Sequence, residues 1–293
     1  MNSRIGLLFL LSICAMQSYG QDLLAELQQE EKKQKEYTIA TFKSTRIING
    51  HSVEMKGAGE LEFIISHRFG TISSGSYNLF GLDQSYIRIG LEYGITDRLG
   101  VGLGRSSFNK IYDAYVKYKL LRQSTGPGSS PFTVTAFGSI NIQDFEQTPG
   151  TYSTYMDRAS YIGQLLIARK FSPKFSAQIT PTIIHTNVVD QSRLTNDQAA
   201  MGIGARYKLT RSLAINAEYF YRINPIANTP YYNSLGIGLD IETGGHVFQL
   251  VLSNTQGMIE RTFVTETADD FFDGGIHFGF NITRAFQLKK KTK

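Results

Sequence analysis

YDAYVKYKLL, residues 112–121, is the stretch that decides the fold. Apolar and aromatic side chains alternate in it with polar and charged ones, and this period of two is typical of a strand with two different faces. The pattern predicts that Val116 faces an apolar medium and that Tyr115 and Lys117 face a wet interior. Similar alternation recurs from Gly59 onward in about twelve segments, each of roughly nine to eleven residues, which is the length of a tilted strand that crosses a bilayer.

The connections between these segments separate two fold classes, because alternation alone also fits a soluble antiparallel sheet with one wet face. Short links, such as ITDR at 95–98 and SPK at 172–174, alternate with long ones, such as residues 70–84 and 255–273. Tight turns at one rim and long loops at the other are typical of outer-membrane barrels. We therefore expect an all-β fold, a transmembrane antiparallel β-barrel of about twelve strands over residues 59–288, followed by a basic tail at 289–293.

Composition agrees with a barrel and excludes other classes. Charged residues make up 19% of the chain, against roughly 25% in typical soluble proteins. The 28 glycines, 16 tyrosines and 19 phenylalanines suit strands better than helices. The net charge of +5 is spread along the chain without basic clusters, so a nucleic-acid partner is not expected.

The N-terminus predicts export. A basic start is followed by an apolar run and by small residues that end at Gly20, which is the pattern of a cleaved signal peptide over residues 1–20. Cleavage there would remove Cys14, the chain's one cysteine, and with it any disulfide or thiol chemistry. The following stretch, residues 23–35, is helix-prone and predicts a short N-terminal helical leader. The expected location is the bacterial outer membrane, with its lipid as a partner.

Residues 37–58 differ from a linker in composition. They contain the apolar pieces TIATF and RIING together with scattered charges, and they lack the Pro/Ser-rich character of a flexible segment. We interpret residues 21–58 as an N-terminal leader that includes a possible plug or lid of the barrel, the alternative being an extended tether. The glycines of LGVGLG (99–104), MGIGA (201–205) and LGIGL (235–239) have inward parity. They either curve the strands or leave room for a segment in the lumen.

Charged residues of inward parity predict what lines the lumen. Cations and anions are nearly balanced there, which favours an ion-pair network across the lumen over a strongly ion-selective pore. The candidate lumen-lining residues are Glu62, Arg68, Arg88, Glu92, Asp113, Lys117, Arg206, Glu218, Arg222 and Asp240.

No motif predicts catalysis or a bound cofactor. The five histidines have no neighbour at the spacing of a metal site, and G-x-S-x-G and C-x-x-C-H are both absent. A lipase embedded in the barrel wall would need a serine beside His67 or His185, but no serine can be assigned to either of them. We therefore expect no enzyme, no catalytic residue, no cofactor and no metal.

Several stretches resemble a known family. Residues 40–54 (ATFKSTRIINGHSVE), 59–70 (GELEFIISHRFG) and 93–123 (YGITDRLGVGLGRSSFNKIYDAYVKYKLLRQ) are similar to an uncharacterised bacterial outer-membrane β-barrel family, a domain of unknown function. The resemblance extends loosely through residues 253–263 and 278–286. It implies fold and location but no activity.

Two functions remain open at this point. The first is a narrow channel or small-molecule transporter. The second is a closed barrel that acts as a structural or partner-binding scaffold through its long outer loops or its N-terminal segment. A twelve-stranded barrel is only modestly wider than the eight-stranded ones that side chains fill, so passage through it should be restricted. Neither a small-molecule substrate nor a protein partner can be specified from the residues.

Overall fold

The computed structural model describes residues 34–144 and 154–289, and its main feature is a closed barrel of twelve antiparallel strands. This confirms the predicted fold class. Each strand pairs with its neighbours in sequence, and the last strand closes on the first. The strands are β1 Glu60–Thr71, β2 Ser85–Gly94, β3 Leu99–Ser106, β4 Ile111–Leu121, β5 Thr133–Gln143, β6 Ala159–Lys170, β7 Phe175–Thr186, β8 Asp197–Lys208, β9 Leu213–Arg222, β10 Ser234–Thr243, β11 His246–Ser253 and β12 His277–Gln287.

Alternation along the strands sets the two faces of the wall. On β4 the side chain of Val116 is 43% exposed and points outward, whereas Tyr115 and Lys117 on either side of it are buried and point inward. Closure leaves no free sheet edge, so every strand satisfies its backbone hydrogen bonds within the wall, as a membrane requires. The outward face is rich in aliphatic and aromatic side chains, including Leu91 and Ile203.

The two rims of the barrel differ. Both ends of the described chain, at residues 34 and 289, lie at one rim, which we call the terminal end. The other rim, the loop end, carries most of the long connections, at residues 72–84, 144–158, 187–196, 223–233 and 254–276. The predicted alternation of short and long links is wrong at two places. The β3–β4 link at the loop end is short, residues 107–110, whereas the β4–β5 link at the terminal end, residues 122–132, is long.

The long link at the terminal end is occupied by the N-terminal segment. Its Ser124–Thr125 pairs with Glu36–Tyr37 in a small antiparallel ribbon, and the N–H of Thr38 donates to the carbonyl of Gln123 at 2.8 Å. The proposed signal peptide, nearly all of the expected helical leader and residues 290–293 of the basic tail lie outside the described residues. No helix in the described ranges combines the length and the apolar character needed to cross a membrane.

Two chain segments fold into the barrel from opposite rims. The first, residues 41–56, comes from the terminal end, and we call it the N-terminal insert; from Thr41 to Val53 every residue except Lys43 is buried. The second, residues 254–267, comes from the loop end, and we call it the loop insert. It contains the short helix α1, Glu260–Thr265, all of whose residues are buried. The sequence predicts an outer loop at residues 255–273, and this prediction is wrong for the buried part of the segment.

Candidate functional site

The N-terminal insert is a tight reverse turn. Arg46 and His51 form a β-bridge, the N–H of Ile47 donates to the carbonyl of Gly50 at 2.8 Å, and the N–H of Ser52 donates to the carbonyl of Thr45 at 2.9 Å. The Arg46 guanidinium also donates to the carbonyl of Asn49 at 2.6 Å. Residues 47–50 therefore form the tip of a small hairpin that projects into the barrel.

The wall binds the tip through its backbone. The carboxylate of Glu218 on β9 accepts the backbone N–H groups of Ile48, Asn49 and Gly50, at 3.1, 2.8 and 3.1 Å. A carboxylate that faces successive N–H groups forms charge-assisted hydrogen bonds, which are stronger than neutral ones. The carbonyls of Ile47 and Ile48 accept from Gln249 and Asn281, at 2.6 and 3.0 Å.

The two arms of the insert are bound by other strands of the wall. The Lys117 ammonium on β4 donates to the carbonyls of Thr45 and Glu54, each at 3.1 Å. The carboxamide of Gln178 accepts from the N–H of Val53 and donates to the carbonyl of His51, at 2.9 and 2.8 Å. Side chains of the wall thus replace the partner strand that this irregular backbone lacks.

Ion pairs hold the insert at the terminal end. Lys56 lies 2.6 Å from Glu62 on β1, and Lys43 lies 3.1 Å from Glu242 on β10. Glu242 also accepts from Arg206 on β8 at 2.8 Å. These pairs combine charges of the insert with charges of the wall in a partly enclosed space, where attraction is stronger than at an open surface.

All the predicted lumen-lining side chains are buried, and most contact the inserts or one another. Glu62, Lys117 and Glu218 bind the N-terminal insert as described, and Arg68 donates to the side-chain oxygen of Asn49 at 2.7 Å. Arg222 lies apart, at the loop end, where it donates to the carbonyl of Tyr231. The remaining residues form pairs within the wall, namely Arg88 with Asp113, Lys117 with Glu92, and Arg206 with Asp240.

These wall pairs correct the expectation of a network across the lumen. Arg88 on β2 and Asp113 on β4 meet over the intervening strand β3, with Nε and Oδ1 3.0 Å apart. Gly104 of β3 lies beneath them, and a side chain there would collide with both. Among the described residues, the ion pairs made by the candidate lumen-lining side chains join near strands, or the wall and the N-terminal insert, because the inserts occupy the space between opposite walls.

Other inward glycines make room for the N-terminal insert. A Cβ atom on Gly204 would collide with the side chain of Ile47, and one on Gly236 would lie 3.2 Å from Cγ2 of Ile48. A Cβ atom on Gly100 would likewise lie 3.1 Å from Cε of Met55. Of the two readings of these glycines, space for a segment in the lumen is therefore the one that the contacts support at these positions.

The two inserts meet at Glu260. Its Oε1 lies 3.7 Å from Arg46 and 3.5 Å from His51, and all three side chains are buried. Burial, reinforced by the cations Arg46 and Lys117, holds the pKa of His51 well below its ordinary value. Burial also raises the pKa of Glu260, whereas Arg46 opposes that rise. Arg46, His51 and Glu260 thus form one buried polar cluster in which the two inserts meet.

Apolar packing surrounds this contact. Phe263 of α1 packs edge-on against Phe220 of β9, with ring centroids 5.1 Å apart, and His51 packs against Phe137 at 4.4 Å. The apolar residues Met258, Ile259, Phe263 and Val264 are all buried. They are the signal in the sequence that sets this part of the connection apart from a solvated outer loop.

No metal centre is indicated in the described ranges. Within residues 34–144 and 154–289, no three His, Cys, Asp or Glu side chains are grouped as ligands. The exposed pair of His185 and Asp197, with Nδ1 and Oδ1 2.7 Å apart, stands on the outer face of the wall and away from the inserts.

The chain is similar to several solved structures of outer-membrane proteins. The KdgM porin shares 9% identity and a TM-score of 0.46, over 78% of this chain and 99% of that one. The NanC porin shares 10% identity and a TM-score of 0.47, over 78% and 100%. The COG4313 outer membrane channel from Pseudomonas putida F1 shares 13% identity and a TM-score of 0.43, over 80% and 97%. No curated protein matches.

The match to a family model covers the barrel and most of the N-terminal insert. It extends over residues 42–286, so it begins inside the insert and ends in β12. A match of this length, on a chain that closes into a barrel, establishes membership. The chain belongs to the family described as "Membrane bound beta barrel domain (DUF5777)".

Proposed function

We propose that the protein is a narrow outer-membrane channel for small hydrophilic molecules, and that its two inserts close the lumen in the state described. The proposed orientation puts the terminal end in the periplasm and the loop end outside, because an exported chain begins and ends its insertion on the periplasmic side. One observation carries the proposal. Two chain segments occupy the lumen, and they contact charged, polar and apolar side chains of the wall.

The kind of binding supports a movable closure. Glu218, Gln178 and Lys117 bind the N-terminal insert through its backbone, and water can replace each of these hydrogen bonds at small net cost. Displacement of the insert would expose the charged and polar groups of the wall, which lie beside its inward apolar side chains. Such a lining suits the passage of hydrophilic solutes.

A closed scaffold is the second candidate. The buried apolar cluster that joins Ile47, Ile48 and Val53 of the insert to Phe220 and Phe263 favours a lumen that stays shut. In a scaffold the inserts would be permanent core, and the long loops would bind the partner. The two functions differ in whether displacement of an insert creates a conductance.

A reversible lock tests this difference. Gly236 and Ile48 lie close enough for a cross-link, since a Cβ on Gly236 would be 3.2 Å from Ile48 Cγ2, and the chain's one other cysteine is Cys14, within the proposed signal peptide. We expect the Ile48→Cys/Gly236→Cys variant to show opening events in planar bilayers when reduced and none when oxidised. The control variant Ile48→Cys alone should show the same conductance with and without the oxidant.

The outcomes separate the candidates. Equal conductance in the oxidised and reduced double variant would mean that the insert does not close the channel. A complete absence of conductance in the wild type and in the reduced variant, and also in a variant that lacks residues 41–56 but folds, would favour the scaffold.

A further inference from the structure

The outer face of β6, β7 and β8 carries a groove of about 460 Å³ near the loop end. Its upper row is formed by Tyr161, His185 and Asp197, which are register partners across the three strands. The Tyr161 and His185 rings are stacked with centroids 6.4 Å apart, and His185 Nδ1 lies 2.7 Å from Asp197 Oδ1. The row is thus a polar band at the strand ends.

The next row creates the depression. Gly163, Ile183 and Ala199 are register partners one outward position nearer the membrane centre. Gly163 has no side chain and Ala199 has only a methyl group, so the wall is shallow on both sides of Ile183. Ile183 leans toward Gly163, where an added Cβ would meet its Cγ1 at 3.2 Å.

The groove opens toward the membrane and not toward the lumen. Ile162, Ile184 and Gln198 also border the groove, but their side chains alternate with the outward ones and are buried on the inward face. A sideways-opening groove on the lipid-facing wall is continuous with the surface that contacts acyl chains. A polar band above an apolar depression also matches the order of headgroup and chain in a bilayer leaflet.

Asp197 indicates the headgroup. Among the acidic residues of the twelve described strands, Asp197 is the one whose side chain points outward, and it is 84% exposed. Carboxylates are unfavourable on the lipid face of a barrel, and this one stands where headgroups lie. His185 contacts one oxygen of the Asp197 carboxylate, and the other oxygen remains available to a cation at the membrane surface.

We propose that this groove binds a phospholipid with an ammonium headgroup. One acyl chain lies in the depression between Gly163 and Ala199, and the ammonium group contacts the carboxylate of Asp197 while Tyr161 and His185 flank the headgroup. The acyl chain of an anionic lipid fits the depression equally well, but its headgroup is repelled by the negative charge of Asp197. The site therefore selects by headgroup rather than by chain.

Retention of lipid by the folded protein tests the proposal. The full-length mature protein is placed in nanodiscs that contain phosphatidylethanolamine and phosphatidylglycerol in equal amounts, and native mass spectrometry identifies the lipids that stay bound. We expect phosphatidylethanolamine to be retained over phosphatidylglycerol by about tenfold, which corresponds to roughly 1.4 kcal/mol.

Three variants divide the site into its parts. Ala199→Leu fills the depression and should abolish retention, whereas the control Ala217→Leu, on the outward face of β9 and outside the groove, should leave retention unchanged. Asp197→Asn should keep a bound lipid but lose the preference for the ammonium headgroup. Equal retention of both lipids by the wild type, or equal loss in the two leucine variants, would overturn the proposal. Should Ala199→Leu not fold, the Asp197→Asn result still decides.

Discussion

Glu218 shows how a single side chain can hold a whole segment. Its carboxylate accepts hydrogen bonds from three successive N–H groups at the tip of the N-terminal insert. These N–H groups donate to no backbone carbonyl of the described chain. Removal of an acceptor leaves buried donors unsatisfied, and this costs more than the net worth of the bonds. Glu218 is therefore the residue at which the hold on the insert can be tested most directly.

We predict that Glu218→Ala weakens the docking of the insert by about 1.5–3 kcal/mol, because hydrogen bonds to a charged group are lost. Trypsin should then cleave after Arg46, which is buried in the wild type, at least about tenfold faster. Mass spectrometry of the fragments measures this. Asn216→Ala, an equally inward and buried position on β9, is the control and should leave the cleavage rate unchanged.

Strand β4 shows why the two faces of one element respond differently to substitution. Val116 points outward at mid-strand, and Leu120 points outward near the terminal end. Tyr115 points inward as expected, but it is packed against His51 and Phe137 and does not face water. A charge at Tyr115 is therefore no mild control for a charge on the lipid face, contrary to what the alternation alone predicts.

Depth in the membrane supplies the better control. Val116→Arg should destabilise the barrel by roughly 2–4 kcal/mol, since a charge near the bilayer midplane loses its hydration, whereas Leu120→Arg should cost less than about 1 kcal/mol. Urea unfolding from lipid vesicles, followed by tyrosine fluorescence, measures both. Similar costs for the two variants would contradict the assignment of Val116 to the middle of the membrane.

The loop insert gives a second prediction at this scale. Glu260→Ala removes the partner of Arg46 and leaves a buried cation unpaired, which is strongly unfavourable. We predict that this change, made in a segment that enters from the loop end, speeds tryptic cleavage of the other insert after Arg46. Glu266→Ala, which removes the contacts of this carboxylate with Arg261 at 3.2 Å and with Asn109 at 3.3 Å but none with the N-terminal insert, should not.

The whole molecule should behave as an exported membrane barrel. We predict that the mature protein begins at Gln21, that it fractionates with the outer membrane, and that unboiled samples migrate differently from boiled ones in detergent gels, because closed barrels resist unfolding by detergent. Intact-mass measurement and gel shift check these points. Recovery of the unprocessed chain from the soluble periplasmic fraction would contradict them.

Much of the barrel was predictable, because the alternation of apolar and polar residues assigns each side chain of a strand to the outer or the inner face of the wall. The inward position of Glu218 or Lys117 follows from its parity alone. Two features were not predictable. The Arg88–Asp113 pair needs the register of three strands at once, and the inward fold of residues 254–267 needs a lumen already shaped to receive it. Parity assigns residues to a face, but it does not say what else lies against that face.

The contact of Arg46 with Glu260 has a consequence for signalling. It joins a segment anchored at one rim to a segment anchored at the other, so the stability of each insert contains a contribution from its counterpart. Coupling of this kind is reciprocal by thermodynamic necessity. A molecule that draws the loop insert outward would therefore weaken the docking of the N-terminal insert. Displacement of the N-terminal insert would weaken the docking of the loop insert by the same factor. A displacement at one rim would then reach the other rim through the lumen, by way of the two inserts, without a change in the strand pairing of the wall.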